Sequence, residues 1–286
     1  GQDYPGVVTT LVVFDRVPPD PALASDDPRR PVAVLANTRT PGVSGDRNTG
    51  ILAARTDLVA LADDDVVWRP GKLRAQVAAL LARPDALVVT CGLLIIRDGF
   101  TEERRWAKPE NTFEDLLRTP GNGAFPLTFL LRREAVLRTC GLFAEDIPGG
   151  YGEDYDFMLR AARHAPALHV PEILVDVPEH GVSHFAGRWG LIAQATEWLV
   201  AHHPEFLARA RTRAHMSGYI AFAHAMAGRR GTALRWTWRA LRANPLEKRG
   251  YHALLAVAGI LRPATFVRLF LAWRRLLSWV RRPVAR

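Results

Sequence analysis

Apolar residues in the first two thirds of this 286-residue chain fall into short continuous runs, and in the last third into a longer helical period. Val7 to Phe14, Val32 to Leu35, Leu58 to Ala62, Val88 to Ile96 and Thr128 to Arg132 are brief and rich in Val, Leu and Ile. Runs of that kind, closed by charged or turn-forming residues, are expected of strands buried on both faces. Between them, Ser44 to Arg55 opens with Ser and Asp suited to a helix N-terminus, and Pro70 to Arg83 carries Pro in its first turn with Pro84 just past its end. Asn111 to Arg118, the stretch leading to Arg138, and Tyr155 to His164 also read as helices. Residues 16–31, rich in Pro and polar side chains, read as a loop. The alternation predicts an α/β domain with a mainly parallel sheet flanked by helices. From Trp189 onward the pattern is wholly helical, so two regions are expected, 1–188 and 189–286. Gly231 to Pro245 has the spacing of the second helix of a tetratricopeptide unit, which on its own predicts no more than a packed helix pair.

Composition narrows the class. A chain 48% hydrophobic and 23% charged buries a core and is not disordered. Its two cysteines, Cys91 and Cys140, exclude a disulfide scaffold or a zinc cage and fit a reducing cytosol. The net charge of +9 is unevenly spread: residues 191–286 hold 17 Lys and Arg against 3 Asp and Glu, a net +14, and residues 1–190 carry a net −5. No zinc finger or recognition-helix motif accompanies the basic end, so nucleic acid is not expected as a partner. Residues 265–282, projected as a helix, gather Phe266, Leu269, Phe270, Trp273, Leu276, Leu277 and Val280 on one arc and Arg268, Arg275 and Arg282 opposite. Charge interrupts this segment too often for a membrane span. It suits the interface of an anionic membrane or packing onto the helical region, so the expected location is cytoplasmic and peripheral to the inner face of the cell membrane.

The chemistry concentrates at Asp63-Asp64-Asp65, directly after the apolar run ending at Ala62. Carboxylates at a strand end either emerge into water or meet a cation, and all-oxygen ligands suit Mg²⁺ or Mn²⁺. In open α/β sheets, ligands lie just beyond such strand ends.

Four blocks, the triplet among them, follow in order: Arg47-Asn48-Thr49-Gly50-Ile51; the triplet itself; Trp68-Arg69-Pro70-Gly71-Lys72-Leu73-Arg74-Ala75-Gln76; and Glu153-Asp154-Tyr155-Asp156 with Arg160. A fifth stretch, Arg132-Arg133-Glu134-Ala135 followed by Gly141-Leu142-Phe143, precedes the last block. Together they resemble the inverting glycosyltransferases of family 2, which have the GT-A fold. Against that pattern the chain lacks a first strand and helix of roughly thirty residues, with Gln2-Asp3-Tyr4-Pro5 standing where that helix would end.

The resemblance implies a role for each residue. Asp65 would bind the divalent ion bridging the donor's diphosphate, with Asp63 toward the ribose and also a ligand, and Asp64 beside them. The ion would stabilise charge building on the departing diphosphate. Asp15 would contact the nucleotide base or ribose, and Arg47 the nucleotide or diphosphate. Asp154 would be the base that deprotonates the acceptor hydroxyl, with Glu153 next to it as the other candidate. Gly149-Gly150-Tyr151-Gly152 would form a mobile loop facing the acceptor, and His184, after the base helix, would reach the metal or diphosphate. Trp106 and Trp189 are candidates for stacking on sugar faces as well as for core packing. The implied activity is metal-dependent inverting transfer of a sugar from a nucleotide-sugar donor to a glycan or lipid-linked acceptor. The competing readings are a non-catalytic sugar-nucleotide-binding or scaffold protein, and a Mg²⁺-dependent nucleotidyl- or phosphotransferase. The latter would need a Gly-rich phosphate loop or a nucleophilic Asp on the first strand, and neither is present.

Overall fold

The computed structural model describes residues 2–97, 100–119, 125–178 and 185–262. The first apolar run becomes β1 (Thr10–Phe14), paired in parallel with β2 (Val32–Ala36), so that Thr10 faces Val32 and Phe14 faces Ala36. Both strands end one residue before a polar side chain, Asp15 and Asn37. Helix α1 (Val43–Ala53) packs back onto β1. Its first turn approaches the preceding loop so closely that a Cβ on Gly45 would lie 2.0 Å from the Thr40 carbonyl oxygen, a position only glycine fills.

The second sheet is larger. β3 (Leu58–Ala60), β4 (Val67–Trp68), α2 (Lys72–Ala82), β5 (Val88–Arg97), β6 (Phe100–Arg104), β7 (Glu110–Asn111), α3 (Phe113–Arg118), β8 (Leu130–Arg132), α4 (Arg133–Arg138), α5 (Glu153–Ala162) and β9 (Ala167–Pro178) follow in sequence. The strands order as β3-β8-β5-β9-β4, with β6 on β5 and β7 on β9. The α/β architecture is as expected, but its pairing is not mainly parallel. β5 and β9 form the long parallel pair, whereas β3 with β8, β5 with β8, β4 with β9 and β7 with β9 run antiparallel. A continuous apolar run reports burial on both faces but not direction, and the antiparallel members are only two or three residues long. At Gly92 the β5–β9 register shifts, and a Cβ there would lie 2.8 Å from the Glu172 carbonyl oxygen, so the two backbones pass at a bulge that admits no side chain.

The core of this α/β unit lies between α2 and the sheet, with Leu73 and Leu80 of α2 against Val89, Leu93, Leu168 and Val175. Beside it Phe143 stacks on Phe157 of α5 at 4.2 Å and 9°. Buried Lys72 of α2 donates to Gln76 Oε1 (2.9 Å) with its ammonium 3.8 Å from the Trp68 ring centre, and Gln76 in turn donates to the carbonyls of Val89 and Thr128. The Lys-x-x-x-Gln spacing of the third block thus ties α2 to the sheet. Trp106, a candidate sugar platform, is instead core: it is buried against His169, with ring centres 5.5 Å apart.

A helical unit is built from α6 (Trp189–His202), α7 (Glu205–Ala208), α8 (Ala210–Met226), α9 (Arg230–Ala243) and α10 (Lys248–Val257), together with residues 147–152. Helix α8 is its axis, packing against α6, α9 and α10, and its small residues, Ala221 and Ala225 among them, allow close approach. Trp189 packs edge-on to Phe222 in this unit. Glu197 accepts hydrogen bonds from Trp236 Nε1 and pairs with His224 Nε2, each at 2.9 Å, joining α6, α8 and α9. Gly149, Gly150 and Gly152 all take positive φ in the 147–152 segment. No helix among the described residues is long and apolar enough to cross a membrane.

Candidate active site

The acidic triplet occupies the turn after β3, which is anchored by the Leu61 N–H donating to the Phe129 carbonyl at 3.1 Å. Asp63 is half-buried, whereas Asp64 and Asp65 are exposed. From α1, Arg47 reaches between two elements that are distant in sequence: Nη1 donates to Glu153 Oε1 at 2.6 Å and Nη2 to Asp63 Oδ1 at 3.3 Å. Arg47 and Glu153 are each only 11% exposed at the side chain, so this charge pair is largely withdrawn from water. The end of β3, the middle of α1 and the start of α5 meet at this guanidinium.

Asp154 follows Glu153 at the first turn of α5, half-buried, with Oδ1 accepting the Tyr155 N–H at 2.7 Å. Burial first, and then the Glu153 charge, push its carboxyl above the usual range, while the Tyr155 N–H and Arg47 pull it back. A carboxyl tuned upward in this way has the affinity for protons that a general base requires. Asp156, also in the acidic block, does other work. It is buried and accepts from Arg160 Nε and Nη2 at 2.9 and 2.7 Å, and Arg160 also donates to the carbonyls of Cys140 and Leu142. Within the motif, Asp156 and Arg160 thus tie α5 to the stretch 140–142, while Glu153 faces Arg47.

The segment before α5 is held from α1. Fully buried Asn48 donates through Nδ2 to the Phe143 carbonyl (2.9 Å) and to Glu145 Oε1 (2.6 Å), and its Oδ1 accepts the Phe143 N–H at 2.9 Å. Glu145 also accepts from Arg39 and from the Thr40 N–H. Burial works to raise its carboxyl, but the hydrogen bonds from Asn48, Arg39 and Thr40 prevail and hold it at about 2. Sequence reasoning missed Glu145, since its partners lie some hundred residues upstream and no local spacing marks it.

Asp15 belongs to a separate polar cluster at the ends of β1 and β2. It accepts from Asn37 Nδ2 at 3.0 Å, and Asn37 Oδ1 accepts from Thr49 Oγ1 of α1 at 3.1 Å. Asp46, also in α1, is pushed up to about 6 by burial and by the neighbouring Asp15 charge. The structure brings Asp63, Arg47, Glu153 and Asp154 together and leaves Asp15 with this second cluster. His184 and the preceding Glu179-His180 lie outside the described residues, as does the segment 265–282.

A divalent ion would find hard oxygen donors here, with Asp64 and Asp65 exposed and Asp63 partly engaged by Arg47. Among the described residues no three His, Cys, Asp or Glu side chains close into a cage. Mg²⁺-type ions bound with a diphosphate take only one or two carboxylates and complete their shell with phosphate oxygens and water, so the donor set fits that role.

Residues 19–141 match the model of the family Glycosyl transferase family 2. No curated protein matches the sequence. Among solved structures, the fold is similar to S. aureus TarS residues 1–349 in complex with UDP-GlcNAc, with TM-score 0.52, 14% identity, and coverage of 91% of this chain and 82% of that one. A second similar structure is S. aureus TarS, with TM-score 0.50, 15% identity, and coverage of 90% of this chain and 48% of that one. A third is the mannosyltransferase PcManGT from Pyrobaculum calidifontis in complex with GDP-Man and Mn²⁺, with TM-score 0.48, 17% identity, and coverage of 98% and 89%. Both TarS structures share the α/β architecture built above, and the family match spans α1, the acidic triplet and α2: residues 19–141 are similar to the glycosyltransferases of family 2, in a chain whose fold is similar to that of TarS.

Proposed function

We propose that this glycosyltransferase moves a sugar from a nucleoside-diphosphate donor to a hydroxyl of a glycan or lipid-linked acceptor, with inversion and with help from a divalent cation. The observation that carries the reading is Arg47 between Asp63 and Glu153, which sets a donor-side carboxylate and the base-bearing turn of α5 about one guanidinium apart. Asp65, with Asp63 and Asp64, would hold Mg²⁺ or Mn²⁺, which supplies Lewis-acid stabilisation to the leaving diphosphate. Arg47 offers cationic N–H donors next to the same group. Asp154 takes the proton from the acceptor oxygen as that oxygen attacks the anomeric carbon on the face opposite the diphosphate, and Glu153 holds Arg47 in place. Asp15 serves the base or ribose from its own cluster. The similar TarS structure contains UDP-GlcNAc, which makes UDP-sugars the first donors to test. The basic end of the chain would keep the enzyme at an anionic membrane carrying its acceptor.

Diphosphate release from a panel of nucleotide sugars, with Mn²⁺, Mg²⁺ or EDTA, tests this directly. Turnover should require the metal, and Asp65→Ala should remove both turnover and metal-dependent donor binding while leaving the melting temperature unchanged, because Asp65 is exposed. Metal-independent turnover, or unaltered donor affinity in the variant, refutes the assignment.

A further inference from the structure

The helical unit carries an apolar ridge that its own core does not use. Helices α9 and α10 form a hairpin in which Leu241 packs onto Gly250 so closely that a Cβ on Gly250 would lie 2.8 Å from Leu241 Cδ2. Helix α9 buries Ala233, Thr237 and Ala240, and α10 buries Gly250 and Ala253. Off those stripes, Leu234 and Trp238 lie one turn apart on α9, Tyr251, Leu254 and Leu255 share a face of α10, and Leu246 caps the turn; all are exposed, Trp238 by 67% and Leu246 by 83%. Exposed side chains of this size grouped on one hairpin exceed the isolated apolar residues normal for a surface.

The charges around the ridge are of one sign. Arg235, Arg239, Arg242 and Lys248 are exposed on the same two helices. Across residues 185–262, 12 Lys and Arg stand against 3 Asp and Glu. Inside the unit Glu197 is engaged by His224 and Trp236, and Glu247 by Arg249. A second copy of the chain would bring two arginine-rich faces together, which like-charge repulsion opposes. An anionic lipid surface offers complementary charge, an apolar layer for Leu254 and Leu255, and a headgroup zone in which Trp and Tyr rings are favoured.

We infer that the α9–α10 hairpin is a docking surface for anionic lipid. The inference deepens the proposed reading, since it would bring the enzyme to a membrane-borne acceptor, yet it is measured separately. Full-length protein is floated with vesicles of phosphatidylcholine alone or mixed with phosphatidylglycerol, and donor turnover is followed in vesicle-free buffer with a soluble acceptor. Binding should appear only with the anionic vesicles, weaken with salt, and fall about tenfold or more in Trp238→Ala/Leu255→Ala, whose exposed positions leave folding and vesicle-free turnover unchanged. Arg235→Glu/Arg239→Glu should abolish it. Equal binding to neutral vesicles, or full binding by both hairpin variants, overturns the inference. So does binding that vanishes on deleting residues 263–286 while surviving in the hairpin variants, or a dimer in solution that Trp238→Ala dissociates. Failure of turnover with intact vesicle binding counts against the proposed reaction and not against the surface.

Discussion

Arg47 has to satisfy Asp63 and Glu153 at once while standing near enough to Asp154 to lower its proton affinity. Removing that guanidinium leaves the Tyr155 N–H to oppose burial and the Glu153 charge without it, so the Asp154 carboxyl rises further. A base works only when deprotonated, and activity is lost as pH falls through its pKa. The acid limb of kcat/KM in Arg47→Met should therefore move to higher pH than in the parent enzyme, and an unmoved limb would show that Arg47 does not tune the base. Asp154→Asn keeps the shape and the Tyr155 contact but cannot accept a proton. Turnover should drop by roughly 10²-fold or more with donor affinity preserved, as read from initial rates and calorimetry. The identities of these residues were legible in the sequence because each sits in a short block of recognisable spacing. Their mutual geometry was not: a sequence offers Arg47 the nearby Asp46 and Asp57 as partners, whereas the fold delivers Glu153, 106 positions away.

At the level of elements, α1 and α2 are each fixed by one buried polar side chain. Asn48→Ala would strand the Phe143 N–H and carbonyl and take one of its donors from Glu145, which keeps Arg39 and Thr40, so a loss of about 2–4 kcal/mol is expected in urea unfolding, with the segment leading into α5 the part most disturbed. Lys72 gives a pH signature. Burial brings its ammonium down from the ordinary 10.5 to about 8, so between those values the unfolded chain holds the proton more tightly and stability rises with pH. Cys91, raised by burial from 9.0 to about 11, acts in the opposite sense above about 9. The melting temperature should therefore climb from about pH 8 to 9 and then level, and Lys72→Met should remove the climb. Helix positions were readable to within a few residues, since Pro70, Pro84 and the polar starts mark their ends. Strand directions were not, because β3, β4, β7 and β8, at two or three residues each, are too short for their pattern to specify a direction.

On the scale of the whole molecule, the sequence divides its labour by charge, with an acidic α/β part holding the carboxylates and an arginine-rich helical part. The split was legible from composition alone. The ridge on α9 and α10 was not, because Leu234, Trp238 and Leu255 fit the same helical period as buried residues, and only packing decides which stripe the core takes. One feature of the sheets bears on how the protein behaves in bulk. Among the described residues β1 pairs only with β2, and β3 only with β8, so each leaves one row of peptide groups without a strand beside it. In β1 that row belongs to Thr-Leu-Val-Val-Phe, a segment without charge, Pro or Gly. An open rim of such composition can template strands from neighbouring molecules. A net charge of +9 and an isoelectric point near 10.3 oppose such contacts by long-range repulsion. Concentrated solutions should therefore stay clear in dilute neutral buffer and scatter more light as added salt screens the arginines and lets the β1 rims meet.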